Sequence, residues 1–344
     1  MRFAIFGAGA IGGYLGAKLA HAGEDVTFIA RGATLAALRE QGLRVVEAEG
    51  QGAGREFAVR PRCTDDLAAL GAVDAVFLTV KANTIPSIAA QLGRALGPET
   101  AVVTGQNGLP WWYFERYSGP LAGTRLESVD PGGVVARAIP TERVVGCVVW
   151  PAAEPVEPGV IRHIEGTRFT IGEPDGTRSE RCRAIAAALT GAGLKAPVSR
   201  EIRREIWLKL LGNVAFNPLS ALTRALLEEI TGLPETRAVA RAIMEEADGV
   251  ARALGVEVQL SIDQRLAGAE RVRGHKTSML LDLEGGRPTE LEALVGAVVE
   301  LGDKLGLPLP HLRTVYACAK LLERTQQRHL FAEPTAAMEY TRDG

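Results

Sequence analysis

The chain has 344 residues, of which 47% are hydrophobic and 23% charged, and a formal net charge of −2. This composition excludes a disordered chain, and the near-neutral charge offers nothing to nucleic acid or to an acidic membrane surface. The length suits two domains of about 100–200 residues each.

The first element is a short strand, Phe3-Ala4-Ile5-Phe6, which turns at once into Gly7-Ala8-Gly9-Ala10-Ile11-Gly12 and an Ala-rich helix from Ala10 to Ala22. A strand before and a helix after raise the glycine pattern to a dinucleotide-binding fingerprint. Gly7 permits the tight turn, Gly9 lets backbone close on a pyrophosphate, and Gly12 lets the helix lie close to the sheet. The first-turn N–H groups, those of Ala10 and Ile11 among them, then face the phosphates with the positive end of the helix dipole. The alternative is a glycine turn with no ligand.

Asp25 to Ala30 reads as the second parallel strand. Where an NAD site carries an acid for the ribose 2′-hydroxyl, this chain has Arg31. A guanidinium can grip a 2′-phosphate with paired hydrogen bonds, so NADP(H) is favoured, unless Arg31 is simply a solvated loop residue.

An amphipathic segment (Thr34 to Gln41) leads to strand-like runs at Leu43 to Glu47 and Glu56 to Arg60, separated by a Gly-rich turn. Asp74 to Lys81 is a continuous apolar run ending in a charge, the pattern of a strand buried on both faces. It sets Lys81 at the strand's carboxyl end, where open α/β sheets hold ligands. A helix is expected from Ile85 to Leu96, then a strand Ala101 to Thr104 and the turn Gly105-Gln106-Asn107-Gly108, from which Asn107 can point at cofactor or substrate. Residues 110–158 are irregular, and Trp111-Trp112-Tyr113-Phe114 reads as local core or as the wall of a pocket. Strands are expected at Val144 to Trp150, Val160 to Ile164, Arg168 to Ile171 and Leu194 to Val198, with a helix from Ser179 to Thr190.

The rest is helical: Arg200 to Asn217, Leu222 to Glu229, Arg237 to Leu254, Gln264 to Leu283, Thr289 to Leu305 and Thr314 to Gln327, with Gly or Pro at nearly every junction. The expected division is a nucleotide-binding domain over 1–199 and a helical domain over 200–344. Lys209, Asn213 and Asn217 recur every fourth residue and form one polar stripe on an otherwise apolar helix. Such groups need partners when buried, and a ligand, solvent or nearby backbone could each provide them. The polar last dozen residues are expected to be mobile. Cys63, Cys147, Cys182 and Cys318 show no paired spacing, so no disulfide framework or metal site is expected and they read as buried thiols. The first apolar run is too short for a secretory signal, and none approaches the roughly eighteen residues that would cross a bilayer. A cytoplasmic protein is expected.

Taken together, Gly7-x-Gly9-x-x-Gly12, Arg31, Val80-Lys81, Asn107-Gly108, Trp207-x-Lys209 with Asn213 and Asn217-Pro218, and Ser278-Met279-Leu280-x-Asp282 followed by Thr289-Glu290 make the chain resemble the ketopantoate reductase (2-dehydropantoate 2-reductase) family. The resemblance runs over most of the length. It implies an α/β Rossmann domain followed by an all-α C-terminal domain like that of 6-phosphogluconate dehydrogenase, NADPH as reductant and an active site in the cleft between them. It further implies Lys209 as proton donor to the C2 oxygen and Glu290 as the acid holding both the lysine and the substrate's far hydroxyl. Ser278 would bind the substrate carboxylate, Asn213 and Asn217 would make further substrate contacts, and Lys81 and Asn107 would stand where nicotinamide and substrate meet. The chemistry agrees, since hydride delivery to a 2-keto group leaves an alkoxide that an ammonium can stabilise and protonate. The partner is then a small-molecule 2-oxo acid, and a helical second domain can support a homodimer. Residues 112–140 are longer than in compact members and could reshape the pocket toward a different branched 2-oxo acid. A non-catalytic NADPH-binding sensor is the rival from another class, and the pairing of Lys209 with Glu290 argues against it.

Overall fold

The computed structural model describes residues 1–47 and 56–331. The Gly-rich turn after Glu47 and the polar last dozen residues lie outside the described residues.

The chain begins with β1 (Arg2–Phe6), α1 (Ala10–His21), β2 (Asp25–Ile29), α2 (Gly32–Glu40), β3 (Leu43–Glu47), β4 (Glu56–Val59), β5 (Arg62–Thr64), β6 (Ala75–Leu78), α3 (Ile85–Ala95) and β7 (Ala101–Thr104). After the short helix α4 (Val134–Ala138) come β8 (Val144–Val149), β9 (Ala152–Glu157), β10 (Val160–Glu165), β11 (Phe169–Gly172) and α5 (Glu180–Gly191). Seven strands form one sheet in the order β11-β8-β7-β6-β1-β2-β5, parallel except for β11, which runs antiparallel to β8. Every residue of β6, β7 and β8 is buried, as their unbroken apolar sequences require of strands covered on both faces. The order reverses direction about β1, and the carboxyl ends of β1, β6, β7 and β8 define the ligand edge.

The remaining strands form a second sheet, β4-β3-β10-β9, laid over α1. Gly13 faces Ile161 so closely that a Cβ would stand 2.7 Å from Ile161 Cγ1, and the Tyr14 ring stacks on His163 at 4.3 Å. The sequence pattern identified β3, β4 and β10 but not β5 or β9. β9 carries Pro155 and survives because it is an edge strand, where a missing N–H costs little. The expected strand Leu194 to Val198 is instead two isolated bridges, Arg168 to Lys195 and Ile171 to Val198. Pro197 lies between them and has no N–H to continue the ladder, although its carbonyl accepts from Ile171 N at 3.0 Å.

The helices of the second half are α6 (Ile202–Thr223), α7 (Leu227–Gly232), α8 (Pro234–Ala253), α9 (Ile262–Arg271), α10 (Ser278–Glu284), α11 (Ala297–Leu305) and α12 (Pro310–Phe331). The sequence predicts an end to α6 before Pro218, yet the helix runs through it. Fourteen of its 22 residues are buried against α8, α10, α12 and the sheet, and that packing outweighs the lost hydrogen bond. The single helix expected over Gln264 to Leu283 is two. Gly274 turns left-handed (φ +65°), and Thr277 Oγ1 accepts from Leu280 N to cap a new start at Ser278. Before α11 the backbone makes a π-helical turn, Glu292–Gly296. Of the four free cysteines, Cys147 and Cys182 are buried, but Cys63 is half-buried and Cys318 exposed, so the expectation of buried thiols holds for two of them. No described helix is long and apolar enough to cross a membrane.

Candidate active site

The glycine turn has the shape its sequence requires. Gly7 sits at φ +108°, and a Cβ there would stand 2.8 Å from Val80 Cγ1. A Cβ on Gly12 would run into the Gly7 carbonyl and the Thr79 hydroxyl, which itself donates to Gly7 O at 2.8 Å. Gly9 has open space on the side where a Cβ would be, and no side chain caps the α1 N-terminus that it begins. Ala10 and Ile11 therefore present uncapped first-turn amides, with no acid in that turn to repel an anion, and these residues fit a pyrophosphate. Arg31 lies exposed at the start of α2. Among the described residues no acid pairs with it, whereas Arg62 on the neighbouring strand β5 is tied to Asp25 at the start of β2.

At the other end of the ligand edge, α6 and the stretch 286–291 of the helical half close over the loop that follows β7. Lys209 Nζ donates to Asn107 Oδ1 at 2.7 Å and to the carbonyl of Val149 at the end of β8. Asn107 Nδ2 in turn donates to Glu290 Oε2 at 3.1 Å, and Ala82 N donates to Glu290 Oε1 at 3.0 Å. Burial pushes the Lys209 ammonium down to a pKa of about 8, while the charge of Glu290 acts to raise it. Burial likewise raises the Glu290 carboxyl, against the hydrogen bonds from Ala82 and Asn107 and the charge of Lys81. Lys209 and Asn213 line a pocket of about 360 Å³, mouth included, together with Gln106, Asn107, Trp112 and Cys147. Cys147 is pushed up to about 12 by burial, so it stays a thiol.

The stretch between α10 and α11 is tied to the Rossmann half at several points. Leu109 N donates to Ala293 O at 3.0 Å, and Gly108, at φ +85°, leaves no room for a Cβ against the Ala293 backbone. Asn83 Nδ2 donates to Thr289 O at 3.1 Å, Lys81 Nζ donates to Pro288 O at 3.0 Å, and Lys81 also pairs with Asp282.

Of the residues singled out in the sequence, Lys209, Asn107 and Glu290 thus meet in one hydrogen-bonded chain, and Asn213 shares the pocket. Asn217 is buried and donates to Ser278 Oγ at 3.4 Å, away from that pocket's lining. Gly7, Gly9, Gly12 and Arg31 gather at the opposite end of the edge. No hydrogen bond joins Glu290 to Lys209: the Asn107 amide stands between them, and the carboxylate acts on the lysine through its charge. The aromatic run 111–114 is core, with Trp112 also forming pocket wall. Residues 112–140 pack on both halves: Trp112 Nε1 donates to Thr104 Oγ1 and α4 lies against α3, while Ser128 N and Oγ donate to Glu300 and the Arg203 guanidinium donates to Tyr113 O and Glu115 O. Sequence reasoning missed Asp282, quoted within a motif but given no part. It also missed the Val149 carbonyl and the Ala82 N–H, because backbone groups leave no mark in a sequence.

Sequence profiles match both halves: one described as "Ketopantoate reductase PanE/ApbA" covers residues 3–111, and one described as "Ketopantoate reductase PanE/ApbA C terminal" covers residues 201–323. The 2-dehydropantoate 2-reductase of Mesorhizobium japonicum is 50% identical over 94% of this chain and 98% of its own. That of Halobacterium salinarum is 31% identical over 94% and 99%. The crystal structure of a PanE/ApbA family ketopantoate reductase from Ralstonia eutropha superposes with a TM-score of 0.81 at 30% identity, covering 95% of this chain and all of the other. With both halves matched and the lengths nearly coincident, the chain belongs to the ketopantoate reductase family.

Proposed function

We propose that this protein reduces 2-dehydropantoate to pantoate with NADPH, in the formation of pantothenate and coenzyme A. The observation that carries this reading is the chain Lys209–Asn107–Glu290 beside the pocket, in a protein half identical to a 2-dehydropantoate 2-reductase. When bound, NADPH supplies the hydride to C2. The Lys209 ammonium has three N–H groups. Asn107 and Val149 take two of them, which leaves one for the C2 oxygen. A pKa of about 8 suits a group that must carry a proton near neutrality and give it up to an alkoxide. Glu290 acts at one remove, its charge favouring the protonated lysine through the Asn107 amide.

In the same reading Asn213, Asn217 and Ser278 bind the substrate, Ser278 at its carboxylate. Gly7, Gly9, Gly12, Ala10 and Ile11 hold the pyrophosphate, and Arg31 holds the 2′-phosphate. Lys81 stands near the junction of nicotinamide and substrate, held there by Asp282. Residues 1–199 form the nucleotide-binding domain and 200–344 the substrate domain. A small 2-oxo acid is the partner this chemistry needs, a helical second domain of this kind can support a homodimer, and a biosynthetic reductase of this kind belongs in the cytoplasm. The test is loss of reduced-nicotinamide absorbance with 2-dehydropantoate, run beside other branched 2-oxo acids and repeated with NADH. The highest specificity constant for 2-dehydropantoate with NADPH is expected. A higher constant for another acid would reassign the substrate, and NADPH binding without turnover would favour a sensor.

A further inference from the structure

Glu290 is held from two sides. Its carboxylate faces the Rossmann half, where Ala82 N and Asn107 Nδ2 donate to it at 3.0 and 3.1 Å. The backbone that carries it is gripped from the other side by α12. Tyr316, Lys320 and Glu323 recur at spacings of four and three along that helix and so share one face. Tyr316 Oη donates to Glu292 Oε2 at 2.7 Å, Lys320 Nζ pairs with Glu292 Oε1 at 3.0 Å, and Glu323 Oε1 accepts from the Thr289 hydroxyl. These contacts fall on the residue before Glu290 and on the second residue after it.

The two grips differ in strength. The side chains of Lys320 and Glu292 are 42% and 40% exposed, and an ion pair in that setting contributes little. Thr289 is buried, and its hydroxyl works in both directions. It accepts from Leu291 N at 3.2 Å, tying down the amide that follows Glu290, and its one proton goes to Glu323. A hydroxyl donating to a carboxylate makes a charge-assisted bond, the stronger kind. Burial raises the Glu323 carboxyl, hydrogen bonds from Thr289 act against that, and the charges that reach it are those of Glu292 and Lys320. The charges that reach Glu290 are those of Lys81 and Asp282, so Glu323 acts on it through the chain and not through its field.

We propose that Glu323 is a positioning residue for Glu290: by fixing the Thr289 hydroxyl it sets the backbone from which the Glu290 carboxylate reaches Ala82 N and the Asn107 amide. The inference rests on the reductase reading above, in which the charge of Glu290 favours the protonated Lys209. Without Glu323, the buried Thr289 hydroxyl loses the acceptor for its proton, and the cost of an unpaired buried donor loosens the turn it ties. The bond from Asn107 to Glu290 starts at 3.1 Å, so a small shift of the carboxylate carries it out of hydrogen-bond range.

The experiment measures kcat, its alkaline limb and the binding of 2′-phospho-ADP-ribose, which lacks the nicotinamide. It compares the wild type with Glu323→Ala, Glu323→Gln, Glu323→Asp and the double variant Glu290→Gln/Glu323→Ala. Glu323→Ala is expected to lower kcat about tenfold, to move the alkaline limb to lower pH by about half a unit, and to leave 2′-phospho-ADP-ribose within about twofold. Glu323→Gln keeps an oxygen where Thr289 needs one and should hold kcat within about threefold of wild type. Glu323→Asp keeps the charge but withdraws the oxygen by one methylene, and should behave like Glu323→Ala. In the Glu290→Gln background, Glu323→Ala should remove no more than about a further twofold.

Three results overturn the proposal. Glu323→Gln falling as far as Glu323→Ala gives the effect to charge. A full loss repeated in the Glu290→Gln background gives it to a group other than Glu290. Lower stability with kcat and its alkaline limb unchanged leaves Glu323 a structural contact. If Glu323→Ala does not fold, the contrast between Glu323→Gln and Glu323→Asp decides. One readout needs no turnover: the Glu290 carboxyl, identified in difference infrared spectra by its loss in Glu290→Gln, should titrate at higher pH in Glu323→Asp, because the hydrogen bonds from Ala82 and Asn107 that hold it down are weakened. An unchanged titration also overturns the proposal. A wild type that turns over no 2-oxo acid sinks the reductase reading, and that titration still decides this one.

Discussion

Lys209 and Glu290 do not touch. The Asn107 side chain joins them, accepting from the lysine with its oxygen at 2.7 Å and donating to the carboxylate with its nitrogen at 3.1 Å. The lysine and the carboxylate come from the helical half, and the amide that joins them comes from the Rossmann half.

Glu290→Gln tests that coupling. In the proposed role of Lys209 as the acid, turnover is expected below its pKa of about 8 and is lost as pH rises through it. Glu290 raises that pKa, and removing the charge lowers it. The alkaline limb of kcat is expected to move to lower pH by about one unit. A limb that stays in place would separate Glu290 from the lysine's titration.

Replacing the lysine should have opposite effects on rate and stability. Lys209→Ala should lower kcat by about 10²–10⁴ while NADPH binding stays nearly intact. Lys209→Met should stabilise the fold at neutral pH. The native lysine has a pKa of about 8 against an ordinary 10.5, so below pH 8 folding buries a charge that is disfavoured there. Between those values the unfolded chain holds the extra proton and wild-type stability rises with pH. Denaturant unfolding should find the methionine variant more stable at pH 7, by something on the order of 1–3 kcal/mol, with the gap closing toward pH 10. A gap independent of pH would trace the effect to packing alone.

Arg31→Ala should weaken NADPH far more than NADH, because the proposal gives the guanidinium at the start of α2 to the 2′-phosphate, which NADH lacks. Dissociation constants for both nucleotides check this, and equal losses would remove Arg31 from cofactor selection.

Gly108→Ala should cost about 1–3 kcal/mol of stability, since the residue has positive φ and would press its Cβ on the Ala293 backbone. Because Asn107 is the preceding residue, kcat should fall with it while affinity for 2′-phospho-ADP-ribose is kept. Thermal unfolding beside a binding titration separates the two effects.

Much of this was legible in the chain. The turn Gly7 to Gly12, Arg31 and the four-residue recurrence of Lys209 and Asn213 are local patterns, and local patterns map directly onto strand ends and helix faces. Contacts that join distant residues were not legible. Asn107 and Glu290 are 183 positions apart, and nothing in either neighbourhood specifies the other. The helix through Pro218 and the π-helical turn after Glu290 contradict local preference and exist because surrounding packing outweighs it. The second sheet was hidden for a related reason, since its parallel pair β3 and β10 joins segments more than a hundred residues apart.

That sheet also bears on how the protein is made. Helix α1 is complete at His21, but the layer that covers its outer face includes β10, which ends at Glu165. As a nascent chain this helix therefore stays half-covered while more than a hundred further residues are synthesised, its Tyr14 without the His163 ring on which it will stack. Protection of this first helix from protease should accordingly arise late on the ribosome, after β10 has emerged, although the helix is among the first elements to leave the tunnel.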